Sequence, residues 1–500
     1  MTQAATRAGD AGAAGGSTSV PALCMLRRAM SAETPLPVYD RPPAALGTVV
    51  FLVSGFVSHV YSTLGLARRL RNIGYAVEYW AESSLRRTVT AQGFELHEIS
   101  PTWACHEHLL VEGWKEGLRN IRATLRCLRA ARERRRLVAH SIADLELAIG
   151  RQLSRCTPDL VLVDPMLVAY VPLLQARRLR CVLLQDKPWP GRDSLAPPPT
   201  SGFTPRDTRG ARIGVTLLWA WEQILVRTRQ FGNATLGWMG FYTCHQLLPA
   251  VLRHLDARQK PKARRRVAYD LYIDGLEEWV LGAPQVDLPR SRPLPQGARY
   301  VGLWPDLQRK QAHFSLPRAR EGSYLLYVAM GLSMPSWRDD LALIGRIVEG
   351  LHGIPNVTVI VSAGNVKAFT ALRPLSKQAH IAPFLPQLAC LQQADLAIIH
   401  GGANTYRECI ATSTPMLVFP RDYDQHGNAA RVVRLGLGMR GSRKWDTPAT
   451  IRHKVVQILE DEAFARRARA LNESLRVSDP HLLESAMHAV LKTEASASAP

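Results

Sequence analysis

The sequence lacks the features of a disulfide-rich or membrane-spanning protein. Its eight cysteines form no CxxC pair and follow no regular spacing, which argues against a disulfide framework and favours a reducing compartment. No segment reaches the roughly eighteen uncharged apolar residues of a bilayer span, and the apolar stretch VTLLWAWEQILV contains Glu222 and is followed by Arg227. We therefore expect a cytoplasmic protein that is not integral to a membrane.

Acidic residues are scarce relative to basic ones. The chain has 63 Lys and Arg against 42 Asp and Glu, which gives a formal net charge of +21. Two basic runs stand out, one at residues 257–266 and one in a predicted amphipathic helix at 114–137, whose arginines from Arg119 to Arg136 flank a leucine stripe. A solvated face and peripheral docking on the inner face of an anionic membrane both remain open. No nucleic-acid partner is expected, because no recognised binding module surrounds either run.

Length and composition predict two folded domains. Five hundred residues with 46% hydrophobic content are too many for one core and too apolar for global disorder. Residues 1–44 are rich in Ala, Gly, Thr and Pro without a periodic apolar face, so we expect a disordered lead there. This lead has no uninterrupted apolar run of the signal-peptide kind, and Met25 or Met30 is as good a start as Met1.

The first folded part opens with a strand, a helix and a second strand. Thr48–Val53 and Ala76–Trp80 are apolar runs, and the stretch between them has helical periodicity. His59 lies six residues after the first run, in the segment that follows the predicted strand, and its imidazole can take a proton near neutral pH. Asp164 follows a later strand, Leu160–Val163, at the sheet edge where ligands gather. A carboxylate at this edge could orient an imidazole and stabilise its protonated form; alternatively, Asp164 only caps a loop.

The second folded part alternates strands with helical patterns. Four apolar runs read as buried strands: Tyr324–Ala329, Val357–Val361, Leu396–Ile399 and Met416–Phe419. Short connections and right-handed crossovers then favour a parallel, doubly wound sheet. The fold class predicted from these patterns is α/β.

A glycine-rich turn follows the third of these strands. His400, Gly401 and Gly402 stand where the backbone must turn sharply or approach a ligand closely. The helix that begins near Asn404 and Thr405 carries no acidic residue in its first turn, so its unpaired N–H groups suit an anion such as a diphosphate.

Three polar side chains follow this turn. Glu408 lies four residues after Asn404 on the same helical face, within reach of a polyol such as ribose. Asp424 and Gln425 follow the next strand in a polar loop, at the sheet edge where ligands of α/β proteins bind.

These motifs resemble a known family of enzymes. HGGANT, the glutamate eight residues after His400, DQ followed by Asn428, and the PQ of Pro386 and Gln387 are similar to the donor-binding signature of family 1 glycosyltransferases, which use nucleotide sugars. The segments NT, STP, DQ and LGLGMRG are most similar to the bacterial branch that glucosylates carotenoids such as zeaxanthin, macrolides and other hydrophobic acceptors.

The resemblance implies the GT-B fold, in which two Rossmann-like, doubly wound domains face each other across a cleft. The expected parts are an N-terminal acceptor-binding domain at 45–302, a linker at 303–322, a C-terminal nucleotide-sugar-binding domain at 323–478, a closing helix at 479–493 that returns to the first domain, and a frayed tail at 494–500.

The resemblance also implies a role for each motif residue. His59 occupies the histidine position of the family's GHVNPTLGLA, here SHVYSTLGLA, and Asp164 that of its aspartate partner. The resemblance therefore implies that His59 is the catalytic base and that Asp164 orients it. The implied donor-site residues are His400, Gly401, Gly402, Asn404 and Thr405 for the diphosphate, Gln387 and Glu408 for the ribose, and Asp424 and Gln425 for the sugar hydroxyls.

Two positions depart from the family pattern. Phe384 stands where the family usually has a Trp that stacks on the base, so UDP and dTDP both remain open. Gly331 and Ser333 flank Leu332, which occupies the usual hydroxyl position of a phosphate-binding loop.

No metal and no cofactor is expected. Asp422 and Asp424 have the DxD form of a metal site, but they overlap the DQ motif, and in the resembled fold a helix end neutralises the diphosphate. His106, Glu107 and His108 have no further ligand at a recognisable spacing and are expected to be a surface cluster.

A group of aromatic residues marks the middle of the chain. These side chains either line an apolar acceptor pocket or belong to the ordinary core. They are Trp219, Trp221, Phe231, Trp238, Phe241 and Tyr242.

The sequence therefore predicts an inverting hexosyltransferase. It would move a hexose, with glucose expected, from a UDP- or dTDP-sugar to a hydroxyl of a hydrophobic small molecule such as a secondary metabolite. Two alternatives remain open: a membrane-surface glycolipid glycosyltransferase docked through the Arg119–Arg136 helix, and a catalytically silent accessory protein that binds nucleotide sugar.

Overall fold

Two parallel sheets organise the residues that the structure, a computed structural model, describes: 45–99, 142–238, 248, 251–252, 255, 262–267, 270–312, 323–331 and 337–492. Several predicted features lie outside these residues. They are the lead at 1–44, the tail at 494–500, the Arg119–Arg136 helix, the cluster from His106 to His108, and Leu332 with Ser333.

The first sheet has seven parallel strands in the order β3-β2-β1-β4-β5-β8-β9, and the second has six in the order β12-β11-β10-β13-β14-β15. A short antiparallel pair of strands, β6 and β7, lies between β5 and β8 along the chain. The strands are β1 Thr48–Leu52, β2 Ala76–Ala81, β3 Glu95–Glu98, β4 Leu160–Val163, β5 Cys181–Gln185, β6 Ala263–Arg265, β7 Leu271–Ile273, β8 Glu277–Val280, β9 Ala298–Tyr300, β10 Tyr324–Ala329, β11 Val357–Ser362, β12 His380–Ala382, β13 Leu396–Ile399, β14 Met416–Val418 and β15 Gly438–Arg440.

Helices connect most of these strands. The α-helices are α1 Val57–Asn72, α2 Arg86–Ala91, α3 Val171–Gln175, α4 Arg209–Trp238, α5 Trp337–Leu351, α6 Val366–Leu372, α7 Gln387–Leu391, α8 Ala403–Ala411, α9 Gln425–Arg434, α10 Pro448–Glu460 and α11 Ala463–Lys492. Short 3₁₀ helices lie at Ser83–Leu85, Pro165–Tyr170, Pro284–Val286 and Arg373–Lys377. The described end of a further helix lies at 142–153.

The apolar runs became strands because parallel sheets bury both of their faces. In β1, Val49 and Phe51 belong to one hydrophobic cluster, whereas Val50 and Leu52 belong to another on the opposite face. The same alternation separates the two faces of β10. The predicted strands that begin at Leu160, Tyr324 and Leu396 have the predicted bounds, and the other predicted strands differ by one residue at one end.

The last helix contacts both halves of the molecule. Ala468 and Leu475 of α11 pack in the cluster beneath the six-stranded sheet, and Leu483 and Met487 pack in a cluster of the seven-stranded sheet. The helix begins at Ala463 and continues through Pro480. The predicted closing helix at 479–493 is therefore the second half of a longer one, because the proline did not end the helix as its usual helix-breaking effect would suggest.

A buried ion-pair cluster joins the two halves. Asp287, directly after the 3₁₀ helix Pro284–Val286, is bound by Arg431 of α9, and its other oxygen accepts a hydrogen bond from Arg290 Nε at 3.1 Å. Burial alone would raise the pKa of Asp287, but the two arginines hold it at about 2. A charge taken out of water in this way is tolerated only while its partners remain.

None of the helices among the described residues combines the length and the apolar character that crossing a bilayer requires.

We expect Asp287→Asn to lower the free energy of unfolding by about 3 kcal/mol, because the Arg431 guanidinium would stay buried without its charged partner. Urea denaturation followed by circular dichroism measures the change. Glu462→Gln is the matched control, since Glu462 forms an exposed ion pair with Arg466 at 3.4 Å, and it should cost less than about 0.5 kcal/mol. Equal losses of unfolding free energy in both variants would show that the buried ion pair stabilises the protein no more than the exposed one does.

Candidate functional site

Three neighbouring strands of the first sheet end at one cluster of polar side chains. Because β1, β4 and β5 are parallel and adjacent, the residues that follow them meet at one edge of the sheet. His59, near the start of α1, places Nδ1 2.7 Å from Asp164 Oδ2. Ser54 donates to the same oxygen through its hydroxyl at 2.7 Å, and the Met166 N–H donates to Oδ1 at 2.9 Å. The predicted His59–Asp164 pairing is therefore present in the structure.

The electrostatics of this pair match its geometry. Burial alone would raise the pKa of Asp164, but the nearby imidazole and the hydrogen bonds from His59, Ser54 and Met166 hold it far below its usual range. Burial would likewise lower the pKa of His59, yet the Asp164 carboxylate raises it above its ordinary 6.5. Asp164 thus stays charged and fixes the Nδ1–H tautomer, which leaves Nε2 of neutral His59 to accept a proton.

Asp186 and Lys187 follow β5 and were missed by the sequence analysis. Lys187 Nζ lies 3.5 Å from Asp186 Oδ1. Burial would lower the pKa of Lys187, but Asp186, Asp424 and Asp164 together raise it above its ordinary value. This lysine therefore stays positively charged between carboxylates of both halves of the molecule. The rule that singled out Asp164, a polar residue directly after a buried strand, would have found this pair as well.

The second sheet contributes the glycine-rich turn and the start of α8. Gly401 has a φ of +84°, in the left-handed region that favours glycine. A Cβ at Gly402 would come within 2.5 Å of His400 Nε2, so the imidazole lies directly against this backbone. The N-cap Gly402 gives α8 no side-chain cap, and the first turn holds no acidic residue. The unpaired N–H groups of that turn can therefore bind an anion.

His400 is held in its neutral form. Burial and the positive charge of Arg421 lower its pKa to about 4. Its Nδ1 is buried and has no hydrogen-bond partner among the described residues. The neutral ring adds no positive charge beside the start of α8.

Asn404 connects the two walls of the cleft. Its Nδ2 donates to the Ser58 carbonyl at 2.6 Å, one residue before His59, and its Oδ1 accepts from Arg407 Nη2 at 2.7 Å. Arg407 Nη1 in turn donates to the Leu303 carbonyl at 3.4 Å. The start of α8 therefore faces the start of α1, which brings the imidazole of His59 and the anion-binding turn to the same cleft.

Asp424 and Gln425 lie at the start of α9. Gln425 is the first residue of that helix rather than part of a loop, and its Oε1 accepts from the backbone N–H of Arg421 at 2.9 Å. Asp424 is buried, and one of its oxygens accepts from Asn428 Nδ2 at 2.8 Å. Burial raises the pKa of Asp424, and Lys187 opposes that rise. The fixed oxygen of Gln425 leaves its amide N–H groups free to donate to a hydroxyl.

Glu408 and Gln387 bind each other in this structure. Glu408 Oε2 accepts from Gln387 Nε2, and Oε1 accepts from Arg309 Nη1 at 2.8 Å. The Arg309 guanidinium also lies over the ring of Tyr61, 4.2 Å from its centroid. Sequence reasoning assigned Glu408 and Gln387 to ribose binding and missed Arg309, whose segment has no motif that marks it. The ribose role stays a prediction.

The remaining candidates are dispersed. Phe384 is 60% exposed, which leaves its ring open to stack on a base. Gly331 lies two residues after β10, close to the His400 ring. Of the aromatic group, Trp219 is buried in a small core cluster with Val215, whereas Trp221 is 59% exposed, so these two do not line a common pocket. The side chains of Phe231, Trp238, Phe241 and Tyr242 are not among those described.

Two pockets share Asp186 in their lining. One is lined by His59, Asp164 and Asp186. The other is lined by Asp186 and Arg407 and by an apolar wall from the first half that includes Val280 and Leu281. His59 and this apolar wall therefore lie on either side of Asp186.

The C-terminal part matches known proteins in sequence. A family model described as the C-terminal domain of erythromycin biosynthesis protein CIII-like proteins matches residues 354–490. Zeaxanthin glucosyltransferase of Pseudescherichia vulneris is 29% identical over 226 residues, which cover 45% of this chain and 52% of that protein. Oleandomycin glycosyltransferase of Streptomyces antibioticus is 30% identical over 134 residues, 27% of this chain and 31% of that protein. The resemblance to bacterial family 1 glycosyltransferases is confirmed, and the match spans about half or less of these relatives' length.

Solved structures match over most of the chain. The glycotransferase of kitacinnamycin has a TM-score of 0.56 at 20% identity and covers 87% of this chain and 96% of its own. A spinosyn rhamnosyltransferase complexed with thymidine diphosphate has a TM-score of 0.52 at 17% identity, with 86% and 96% covered. At such identities the likeness establishes the fold, and the predicted GT-B class is confirmed.

We expect Asp164→Asn to lower the pKa of the His59 imidazole, because burial would persist while the carboxylate that raises this pKa would be gone. In the unmodified protein the imidazole should remain protonated to a pH above 6.5. Nuclear magnetic resonance of the ring protons across a pH series measures both values.

Lys187→Met serves as the opposing control, because the Lys187 charge lowers the pKa of His59. Removing this charge should therefore raise the pKa of His59. Lys187→Arg, which keeps the positive charge, should leave the pKa of His59 unchanged. If Asp164→Asn left the titration of His59 unchanged, the pairing would have no electrostatic consequence.

Proposed function

We propose that this protein is an inverting glycosyltransferase that moves a hexose, with glucose expected, from a UDP- or dTDP-sugar to a hydroxyl of a hydrophobic small molecule. The observation that carries the proposal is the contact of Asn404 with the Ser58 carbonyl. It brings a carboxylate-oriented imidazole on one wall opposite an uncapped helix start on the other. The match of residues 354–490 to the C-terminal domain of erythromycin biosynthesis protein CIII-like proteins and the similarity to bacterial glucosyltransferases support it.

The base is His59. With its Nδ1–H bound to Asp164, its Nε2 accepts the proton of the acceptor hydroxyl as the oxygen attacks the anomeric carbon. The new C–O bond forms on the face opposite the leaving group, so the configuration inverts. Asp164 remains ionised throughout and stabilises the imidazolium that results.

The leaving group is the nucleoside diphosphate. As the bond from the anomeric carbon to the phosphate oxygen breaks, the electron pair moves onto the diphosphate. The unpaired N–H groups at the start of α8, next to Gly402 and Asn404, stabilise this added charge. Asp424 and Gln425, at the start of α9, bind the sugar hydroxyls and hold the anomeric carbon in line.

The acceptor enters from the apolar side of the cleft. The pocket beside Asp186 has a wall of Val280, Leu281 and Val286, with Tyr300 also in its lining. Such a wall suits a hydrophobic body that presents a single hydroxyl to His59. This preference supports a natural-product acceptor, as in the curated relatives named above.

His59→Ala is expected to reduce transfer by at least roughly a thousandfold, since general-base catalysis contributes on that order. Nucleotide-sugar binding should persist, because the donor contacts lie on the other wall. Mass spectrometry of the product measures transfer, and the shift in melting temperature on adding the donor measures binding. His453→Ala, a substitution of an exposed histidine on α10, is the control and should leave both readings unchanged.

A catalytically silent binding protein predicts a different result. It would bind nucleotide sugar and show no hydrolysis of the donor without acceptor, and its melting behaviour would be identical with and without His59. Donor hydrolysis by the unmodified protein that disappears in His59→Ala would exclude this reading. Transfer that survives the substitution would mean that the base is elsewhere.

Phe384→Ala should weaken nucleotide-sugar binding about tenfold, as the loss of one base-stacking ring typically does. The ring is 60% exposed, so the fold should tolerate the change. Titration calorimetry with UDP and with dTDP reports the loss and also shows which base is preferred. Trp445→Ala, at another exposed ring, should have no effect; a loss of equal size there would argue against stacking at Phe384.

A further inference from the structure

The helix α4 carries an apolar stripe on its exposed side. Ile213, Leu217, Trp221 and Ile224 are 62%, 65%, 59% and 50% exposed. Because an α-helix turns about 100° per residue, these four side chains fall within an arc of roughly 80°. Of the fourteen large apolar residues that are exposed in the described part of the chain, only these four form a helical row. We call this row the α4 stripe.

The opposite face of α4 packs against the rest of the protein. Val215 and Trp219 are almost fully buried, and Trp219 Nε1 donates to the Ala196 carbonyl at 2.9 Å. Glu222 is buried and accepts a hydrogen bond from Thr200 Oγ1 at 2.7 Å. The helix is thus already docked, and the stripe is not the face that folding uses.

Basic residues border the stripe. Arg209, Arg212 and Arg227 are exposed and lie along one edge of it, and Arg206 is exposed just before the helix. The only acidic residue between 208 and 228 is the buried Glu222. Asp207 lies before the helix and is paired with Arg212 at 3.2 Å. The rim of the stripe therefore carries an excess of positive charge.

This charge pattern selects among possible occupants. Two copies of the chain that paired their stripes in antiparallel fashion would bring Arg209 near Arg227, so like charges would oppose that pairing. In a parallel pairing the arginine edges of the two copies would lie on opposite sides of the seam, and the edge facing each of them carries no carboxylate. The exposed carboxylate nearest the stripe, that of Asp207, is already paired with Arg212. A surface of anionic headgroups over an apolar layer complements both the arginine rim and the stripe.

We propose that the α4 stripe is a docking surface for the interface of an anionic lipid bilayer. Ile213, Leu217 and Ile224 enter the boundary between headgroups and acyl chains, and Trp221 anchors at that level, where aromatic rings are favoured. The arginines bind lipid phosphates along the edge of the stripe. The chain lies on the membrane and does not cross it.

The segment that anchors α4 also reaches the cleft. The segment that anchors α4, with Ala196 and Thr200, begins at Asp186 and Lys187 beside the two pockets. The same segment contacts the second half, where the Pro199 carbonyl accepts from Gly427 N–H at 3.0 Å. Lipid docking would thus bring the cleft near a layer that dissolves hydrophobic acceptors. The docking itself does not depend on the proposed transfer reaction.

Sedimentation of the full chain with vesicles tests the proposal. Binding to vesicles of phosphatidylcholine with phosphatidylglycerol should exceed binding to phosphatidylcholine alone, and salt should weaken it. Replacing Ile213, Leu217, Trp221 and Ile224 together by Gln should reduce the binding constant at least roughly a hundredfold. Replacing Arg209, Arg212 and Arg227 by Gln should cost roughly fivefold per residue on the anionic vesicles only.

The matched control combines Trp445→Gln and Val477→Gln, which change exposed apolar residues that stand alone, and it should bind as the unmodified chain does. Circular dichroism and melting temperature confirm that each variant is folded. The proposal is overturned if the unmodified chain does not sediment with anionic vesicles, or if the stripe variant still does. It is also overturned if only replacing the arginines from Arg119 to Arg136 abolishes binding, or if the stripe variant instead dissociates an oligomer in analytical ultracentrifugation.

Discussion

A parallel sheet that is buried on both faces leaves only the ends of its strands for polar chemistry. In this protein both sheets obey that constraint, so the polar side chains of the cleft follow strands: Asp164 and Asp186 in the first sheet, His400 in the second. Because the two sheets are joined through α11 and through the Asp287–Arg431 pair, their functional edges meet. The site exists because two such edges are held face to face.

Charge organises the site along the first sheet's edge. Carboxylates that are buried are tolerated when cations or hydrogen bonds compensate them, and here His59 compensates Asp164 while Lys187 lies near Asp186 and Asp424. Lys187 belongs to the first half, yet it acts on Asp424 of the second. The charge of Lys187 therefore influences both the protonation of the proposed base His59 and that of Asp424, the proposed sugar-binding carboxylate, across the cleft.

The segment after β5 connects three parts of the molecule. It begins with Asp186 and Lys187 in the cleft, contacts the second half through Pro199, and holds the buried face of α4 through Ala196. This single segment connects α4 to the polar residues of the cleft. This continuity gives a surface helix a direct structural relation to the cleft.

The sequence by itself determined the elements and the chemical types of the main site residues. Apolar runs specify buried strands because each side chain must leave water, and the HGGANT and DQ segments specify a backbone turn and a polar strand end through local geometry alone. Distances between residues far apart in the chain were decided only by tertiary structure. The His59–Asp164 hydrogen bond, the Asn404–Ser58 contact and the Glu408–Arg309 pair join positions about a hundred or more residues apart, and no local pattern encodes them. The role of Lys187 and the exposure of the α4 stripe were likewise decided by packing, because a sequence shows an apolar face but not what covers it.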